Sequence, residues 1–255
     1  MIGRHGFTKK EVDLILGHGH AKGRNTLLYY AAKSKYDCLL FWDDDEYPVA
    51  CIKNDDNTIT WKKQNNISKH LEYIKDSDIT IGYHCGYISP IPYIEINKDI
   101  NEDMFRKYIE AISNDIISWD SIKENFNKNN GVTYADPEIA DGKGVYEIQK
   151  NGAGKWIAGS TLCLNLRHLD KIPAFYNPPG ARGEDTFFST LLDNSKVLRV
   201  PLYHFHDGFL KYQGIMKQKY PSTLRKIKGD ESEIGTRFLK ASKGWTVSYT
   251  HLRAH

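Results

Sequence analysis

Six apolar residues, Met104, Phe105, Tyr108, Ile109, Ile112 and Ile116, recur in NEDMFRKYIEAISNDIIS at the spacing of one helical face. Acids stand at the start of that run, where a helix dipole favours them. The same period in GRNTLLYYAAKS, carried by Leu27, Leu28, Ala31 and Ala32, predicts a second helix. It feeds the run from Cys38 to Trp42, apolar at every position, which predicts a short strand buried on both faces. Further on, PVACIK and TITWKK flank NDDN as the arms of a hairpin, Ser68 to Ile74 reads as a helix, and DITIGYH as a strand.

The second half continues the alternation. NKNNGVTYADPEIADGKGVYEIQKNGAG is rich in Gly, Asn and Asp, so it reads as a loop with one strand at Val145 to Gln149. KWIAGSTLCLNL predicts a buried strand, PPGARGEDTFFSTLLD a loop opening a helix, and KVLRVPLYHFHD a strand running into a loop. Strands alternating with helices predict an α/β fold with its sites at the carboxyl ends of strands. With no internal repeat and no low-complexity linker, residues 1–245 read as one domain. Residues 246–255, ending in SYTHLRAH, carry no pattern that continues the fold and read as a frayed or non-native tail.

Composition narrows the class of partner. The 255 residues are 40% hydrophobic, enough for a sizeable core, and 35 Lys and Arg against 32 Asp and Glu leave a net charge of only +3. The basic residues are scattered, so nucleic acid is not the natural partner. Lys211 to Lys228 is locally basic with interleaved aromatics; a solvated helical face is favoured there over an anionic ligand or a membrane surface. Cys38, Cys51, Cys85 and Cys163 form no CxxC pair and read as reduced core residues. No stretch approaches the roughly 18 to 20 apolar residues of a membrane-spanning helix, and the first residues are not signal-like. A cytoplasmic chain is expected, with peripheral membrane contact left open.

Chemistry concentrates in three places. The strand at Cys38 ends in DDDEYP, and three adjoining carboxylates repel one another unless water or a cation meets them. In an extended backbone Asp43 and Asp45 point to one side and Asp44 to the other, a two-carboxylate unit suited to Mg²⁺ or Mn²⁺ carrying a diphosphate; an acidic turn after a strand is the plainer alternative. In NPPGARGEDTFFSTLL, Glu184 and Asp185 open a helix, where acids also simply suit the dipole. In YHFHDGF, His204 and His206 share one side of a strand beside Asp207, either as an imidazole edge for a metal or as a surface pair.

Taken in order, these pieces resemble the GT-A glycosyltransferases, family 2 in particular. GRNTLLYYAAKSKYDCLLFWDDDEYP is similar to that family's Arg-Asn helix and the strand ending in its DxD motif. WIAGSTLCLNL with GARGEDTFFSTLL resembles its acceptor-side strand and ED motif, and HFHDGF its late metal-binding histidine. The resemblance implies a GT-A-like, Rossmann-related mixed central sheet flanked by helices. It implies that Arg24 and Asn25 line the nucleotide side with Asp43 and Asp44, that Asp43 and Asp45 with His204 or His206 hold Mn²⁺ or Mg²⁺, that Asp185 is the base, and that Glu184 holds the acceptor. The family begins with a strand that binds the nucleobase, followed by another strand and an acidic residue, yet this chain reaches its DxD about forty residues in. A shortened nucleotide half, or a fragment of a longer protein, is therefore expected.

The resulting expectation is a metal-dependent, inverting transfer of a sugar from a nucleotide-sugar donor to a hydroxyl on a glycan or other acceptor. Two alternatives come from other classes: a GT-A-like module that binds a nucleotide or glycan without turnover, and a metal-dependent phosphohydrolase that activates water with the same acids and histidines.

Overall fold

A computed structural model describes residues 8–87, 101–112, 119–120, 123, 129, 131–151, 154–177, 183–208, 213–228, 230, 234–236, 238–239 and 242–243. Ile116, the lead-in at 178–182, Phe209 and the tail from 244 onward lie outside these described residues. Two helices come first, α1 (Lys9–Ile15) and α2 (His20–Lys33). Thr8 and Glu11 close α1 with a reciprocal capping box, each satisfying a backbone N–H that the first turn leaves open. On α2 the buried residues are Ala21, Asn25 and Ala31, Leu28 packs against the core, and Leu27 is exposed. The apolar stripe is thus rotated from the one read in the sequence, because a polar residue, Asn25, holds a buried position.

The strands β1 (Cys38–Leu40), β2 (Glu46–Tyr47), β5 (Ile79–Tyr87), β6 (Val132–Thr133), β7 (Tyr146–Glu147), β8 (Leu162–Asn165) and β9 (Val197–His206) make one mixed, curled sheet. Its main path runs β1-β8-β5-β9-β2, with β6 on β5 and β7 on β9. Among the described residues only β5 and β9 pair in parallel, and every other pairing is antiparallel. The β5–β9 register shifts between Ile81 and Tyr83, opposite Pro201, a residue without the N–H a regular ladder needs. β1 is shorter than expected and only half-buried, and among the described residues β8 is its only strand partner. KWIAGSTLCLNL likewise yields a strand only at β8, preceded by a helical turn at Gly159–Thr161.

The hairpin β3 (Val49–Lys53) and β4 (Ile59–Lys63) forms as expected around a turn in which Asn57 takes a left-handed φ of 64°. Helices α3 (Asn66–Tyr73), α4 (Glu102–Ile112), α5 (Pro137–Ala140) and α6 (Glu184–Ser189) flank the sheets, giving a mixed α/β architecture. On α4, Ile109 is buried whereas Met104 is exposed, so Met104 is not part of the core-facing stripe. Burial divides along the strands. Ile79 and Ile81 join a core with Leu162, Leu164, Phe175 and Phe188, while Cys85 and Tyr87 join a second with Val49, Cys51 and Phe205.

Residues 213–228 form a short 3₁₀ turn at Gln213–Lys217 and then irregular chain, not the solvated helix expected. Ile215 and Ile227 are buried, Tyr220 stacks on Trp61, and the Arg225 carbonyl accepts from Tyr87 Oη at 2.8 Å. This segment covers the second core. All four cysteines are free, and the Cys51 N–H reaches Cys85 Sγ at 3.4 Å. No helix among the described residues is long and apolar enough to cross a membrane.

Candidate functional site

Because β8 runs antiparallel to both β1 and β5, and β5 is parallel to β9, the strands β1, β5 and β9 all point the same way. Their carboxyl ends gather the aspartates after β1, His84 on β5, and His204 and His206 on β9, with the turn that leads into β8 beside them. That is the end of an α/β sheet where ligands bind. The pairings bring these separate segments to one end of the sheet.

The aspartates do not continue the strand. Glu46 N–H donates to the Asp43 carbonyl at 3.3 Å and closes a turn, so the alternation expected of an extended backbone is lost. Asp43 faces Arg24, with Nη2 at 3.5 Å from Oδ1, and Asp44 is exposed. Asp45 Oδ2 lies 3.4 Å from His206 Nε2, while its carbonyl accepts the Asp207 N–H at 2.9 Å and fixes the turn to the end of β9. Partial burial and the charges of Glu46, Asp45 and Glu184 push the Asp43 carboxyl upward, against the pull of Arg24.

The two histidines of β9 have different surroundings. His206 Nδ1 donates to the Tyr87 carbonyl at 2.6 Å, which leaves Nε2 facing Asp45. Burial alone would lower its pKa, but the Asp45 hydrogen bond and charge, the Tyr87 carbonyl and Glu46 raise it. His204 is fully buried and donates from Nδ1 to Glu46 Oε2 at 3.0 Å beneath the Trp42 ring. It does not face Asp45, so of the expected metal set the structure pairs Asp45 with His206 and turns His204 inward. Among the described residues no three His, Cys, Asp or Glu side chains are grouped to hold a metal ion.

Glu46, His84, Ser160 and His70 were not singled out from the sequence. Glu46 is buried, with Oε1 3.5 Å from His84 Nε2, and Ser160 Oγ is 3.0 Å from the same nitrogen. Since serine and acid meet one nitrogen, this is not a Ser-His-acid relay, which needs one partner on each ring nitrogen. Burial would raise Glu46, yet hydrogen bonds from His204 and Ser160 and the charges of His84 and His204 bring it below the usual carboxylate range. The adjoining charges in DDDE were the available signal for Glu46; single histidines in GYHCGY and SKHLEY offered none.

On the other side, Gly183 caps α6 with a φ of 101°, a conformation that suits glycine, and places Glu184 and Asp185 in the first turn. Glu184 is 8% exposed and accepts from Arg24 Nε at 3.2 Å. Asp185 Oδ1 accepts the Thr186 N–H at 2.8 Å and Oδ2 the Gly159 N–H at 3.4 Å. Burial and Glu184 raise its pKa, while those two N–H groups and Arg24 lower it; the net shift is upward. Asn25 is spent on backbone: its amide donates to the Ile15 and Phe175 carbonyls at 3.0 and 2.8 Å, and its oxygen accepts the Phe175 N–H at 2.8 Å. Arg24 and Asn25 therefore meet acids and backbone at this position.

Comparison with known proteins returns nothing: no family model matches the chain, and no curated protein and no solved structure matches it.

Acid should weaken the fold through His70, whose Nδ1 lies 2.8 Å from Thr80 Oγ1 and whose Nε2 has no partner. Burial, with the nearby His204, pushes its pKa from 6.5 down to about 3. The unfolded chain then binds a proton that the folded chain refuses, so stability is full above about pH 6.5 and falls as the pH drops, by about 1.4 kcal/mol per pH unit. Glu46, depressed below 4.5, adds to the loss at lower pH. His206, raised, runs the other way: its contribution is present below its unfolded value and lost as the pH rises through the folded one. Unfolding free energies from urea titrations between about pH 7 and about pH 5 should fall less steeply in His70→Gln, by up to about that amount per pH unit. Equal slopes would remove His70 from the acid response.

Proposed function

We propose that the chain is a metal-dependent glycosyltransferase of GT-A type that moves a sugar from a nucleotide-sugar to a hydroxyl acceptor with inversion. One observation carries the reading: the two acidic motifs, far apart in sequence, meet at the guanidinium of Arg24, beside the Asp45–His206 pair at the carboxyl ends of β1 and β9. Inverting transfer needs a cation site for the leaving diphosphate and a separate carboxylate for the incoming hydroxyl.

A divalent ion fits the donor chemistry. His206 Nδ1 must be the donor to the Tyr87 carbonyl, so in the neutral ring Nε2 turns a lone pair towards the Asp45 carboxylate. Two acceptors so placed call for a proton or a metal between them, and a proton explains the raised His206. Asp45 and His206 would hold the ion. Two protein ligands suffice for Mg²⁺ or Mn²⁺ when phosphate oxygens supply the rest, and the imidazole favours Mn²⁺ over Ca²⁺. Bound there, the ion supplies Lewis-acid stabilisation of the departing nucleoside diphosphate. Asp185 accepts the proton of the acceptor hydroxyl, and burial, which raises its basicity, suits that task. Glu184, engaged by Arg24, steadies the start of α6.

A thermal-shift series of nucleotide-sugars with and without Mn²⁺ tests the reading. One donor should stabilise the protein only when the metal is present, by about 2.7 kcal/mol at a hundredfold excess over its dissociation constant. Nucleoside diphosphate should then appear only when an acceptor is added. Release without acceptor would make the chain a hydrolase, binding without turnover a binding module, and no stabilisation by any donor would end the proposal.

A further inference from the structure

We infer that Arg24 and Gly159 form one positioning device that holds the aspartate turn and the Asp185 carboxylate in register. The inference concerns geometry and rests on the proposed function only where transfer is measured. Three nitrogens of one guanidinium meet three separate pieces of chain: Nη2 lies 3.5 Å from Asp43 Oδ1 in the turn after β1, Nε donates to Glu184 Oε1 on α6 at 3.2 Å, and Nη1 donates to the Gly159 carbonyl ahead of β8 at 2.8 Å. Only a planar fork of donors can span such a set; an ammonium group of equal charge reaches one or two. The fork is itself held. Its Cζ sits 4.7 Å from the Phe41 ring centre and 5.7 Å from that of Phe175, and Asn25, the next residue, ties α2 to the Phe175 backbone.

Gly159 completes the device from the other side. Its carbonyl takes Arg24 and its N–H donates to Asp185 Oδ2, so one residue links the cation to the carboxylate. A side chain there would crowd the fork. A Cβ at Gly159 would stand 3.0 Å from Arg24 Nη2, 3.2 Å from Cζ and 3.4 Å from Asp185 Cβ, so the guanidinium would have to give way. Glu184, buried beside Asp185, finds no other cation partner among the described residues. Arg24 thus acts through Asp43 and Asp185 and is a positioning residue.

Two variants test this, Arg24→Lys, which keeps the charge and loses the fork, and Gly159→Ala, which keeps the fork and crowds it. Backbone amide spectra should show displaced signals in both variants for Thr186, which reports on Asp185, and for Glu46, which reports on the turn, and in Arg24→Lys also for Gly159, while signals of the β3–β4 hairpin stay in place. With a donor and acceptor in hand, kcat should fall at least about tenfold in each variant with the donor KM within about threefold, the pattern of a lost transition-state arrangement and intact binding. Unmoved Gly159 and Thr186 signals in Arg24→Lys, or full kcat in that variant, would overturn the device. If the wild-type protein transfers no sugar, the proposed function fails and the amide spectra alone decide the positioning role. Should one variant not fold, the other carries the comparison.

Discussion

Asp185→Asn should reduce transfer by roughly 10² to 10⁴, the range of a lost general base, which is about 2.7 to 5.4 kcal/mol of barrier. The substitution keeps the size and removes the proton acceptor. It also disturbs a specific contact, because both carboxylate oxygens now accept backbone N–H groups, from Thr186 and Gly159. An amide can offer its oxygen to only one of them and must turn its NH₂ against the other. Burial beside Glu184 raises the Asp185 pKa, which strengthens it as a base, while Arg24 and the two N–H groups restrain that rise. Donor and metal binding should be nearly unchanged, so the loss should fall on kcat, and the thermal shift given by donor with Mn²⁺ should match that of the wild type. Transfer within tenfold of wild type would take Asp185 out of the mechanism and leave Glu184 as the next carboxylate to test.

Glu46→Ala should cost about 3 to 5 kcal/mol of stability, more than any exposed acid in the same run. Glu46 is the common partner of His204 and His84, and it is ionised in the fold because those two rings and Ser160 outweigh its burial. Without it the buried Nδ1–H of His204 has no acceptor, and the Nε2 of that ring already has no partner. A buried donor left unmade costs about 1 to 3 kcal/mol, and the space left by the side chain adds to that. Glu46→Gln retains the shape and one acceptor oxygen, so it should lose roughly half as much. Urea unfolding of both variants beside Asp44→Ala gives the measurement, with Asp44→Ala within about 0.5 kcal/mol of wild type because that residue is exposed. A Glu46→Ala protein as stable as Asp44→Ala would mean that the histidine cluster is not a structural unit.

The sequence by itself determined what depends on near neighbours. The hairpin at β3 and β4, the strands β5 and β9, α4 as far as Ile112 and the opening of α6 at Glu184 follow from period, turn chemistry and capping within a few residues. The sequence also placed acids and histidines in the segments that meet, since strand ends feeding loops are where such side chains can gather. Which of them meet was decided by the tertiary structure. Asp43 and Asp45 part company because a hydrogen bond turns the chain between Asp43 and Glu46, and no pattern of alternation records that bond. His204 and His206 share one side of a strand yet take different partners, because Glu46 lies at the depth of one and Asp45 at the depth of the other. Met104 and Leu27 are apolar and exposed, and Asn25 is polar and buried, because burial depends on what packs opposite. A buried polar group needs partners that the adjoining chain does not supply alone, and Arg24, Glu46 and Asn25 each take one from a residue more than a hundred positions away.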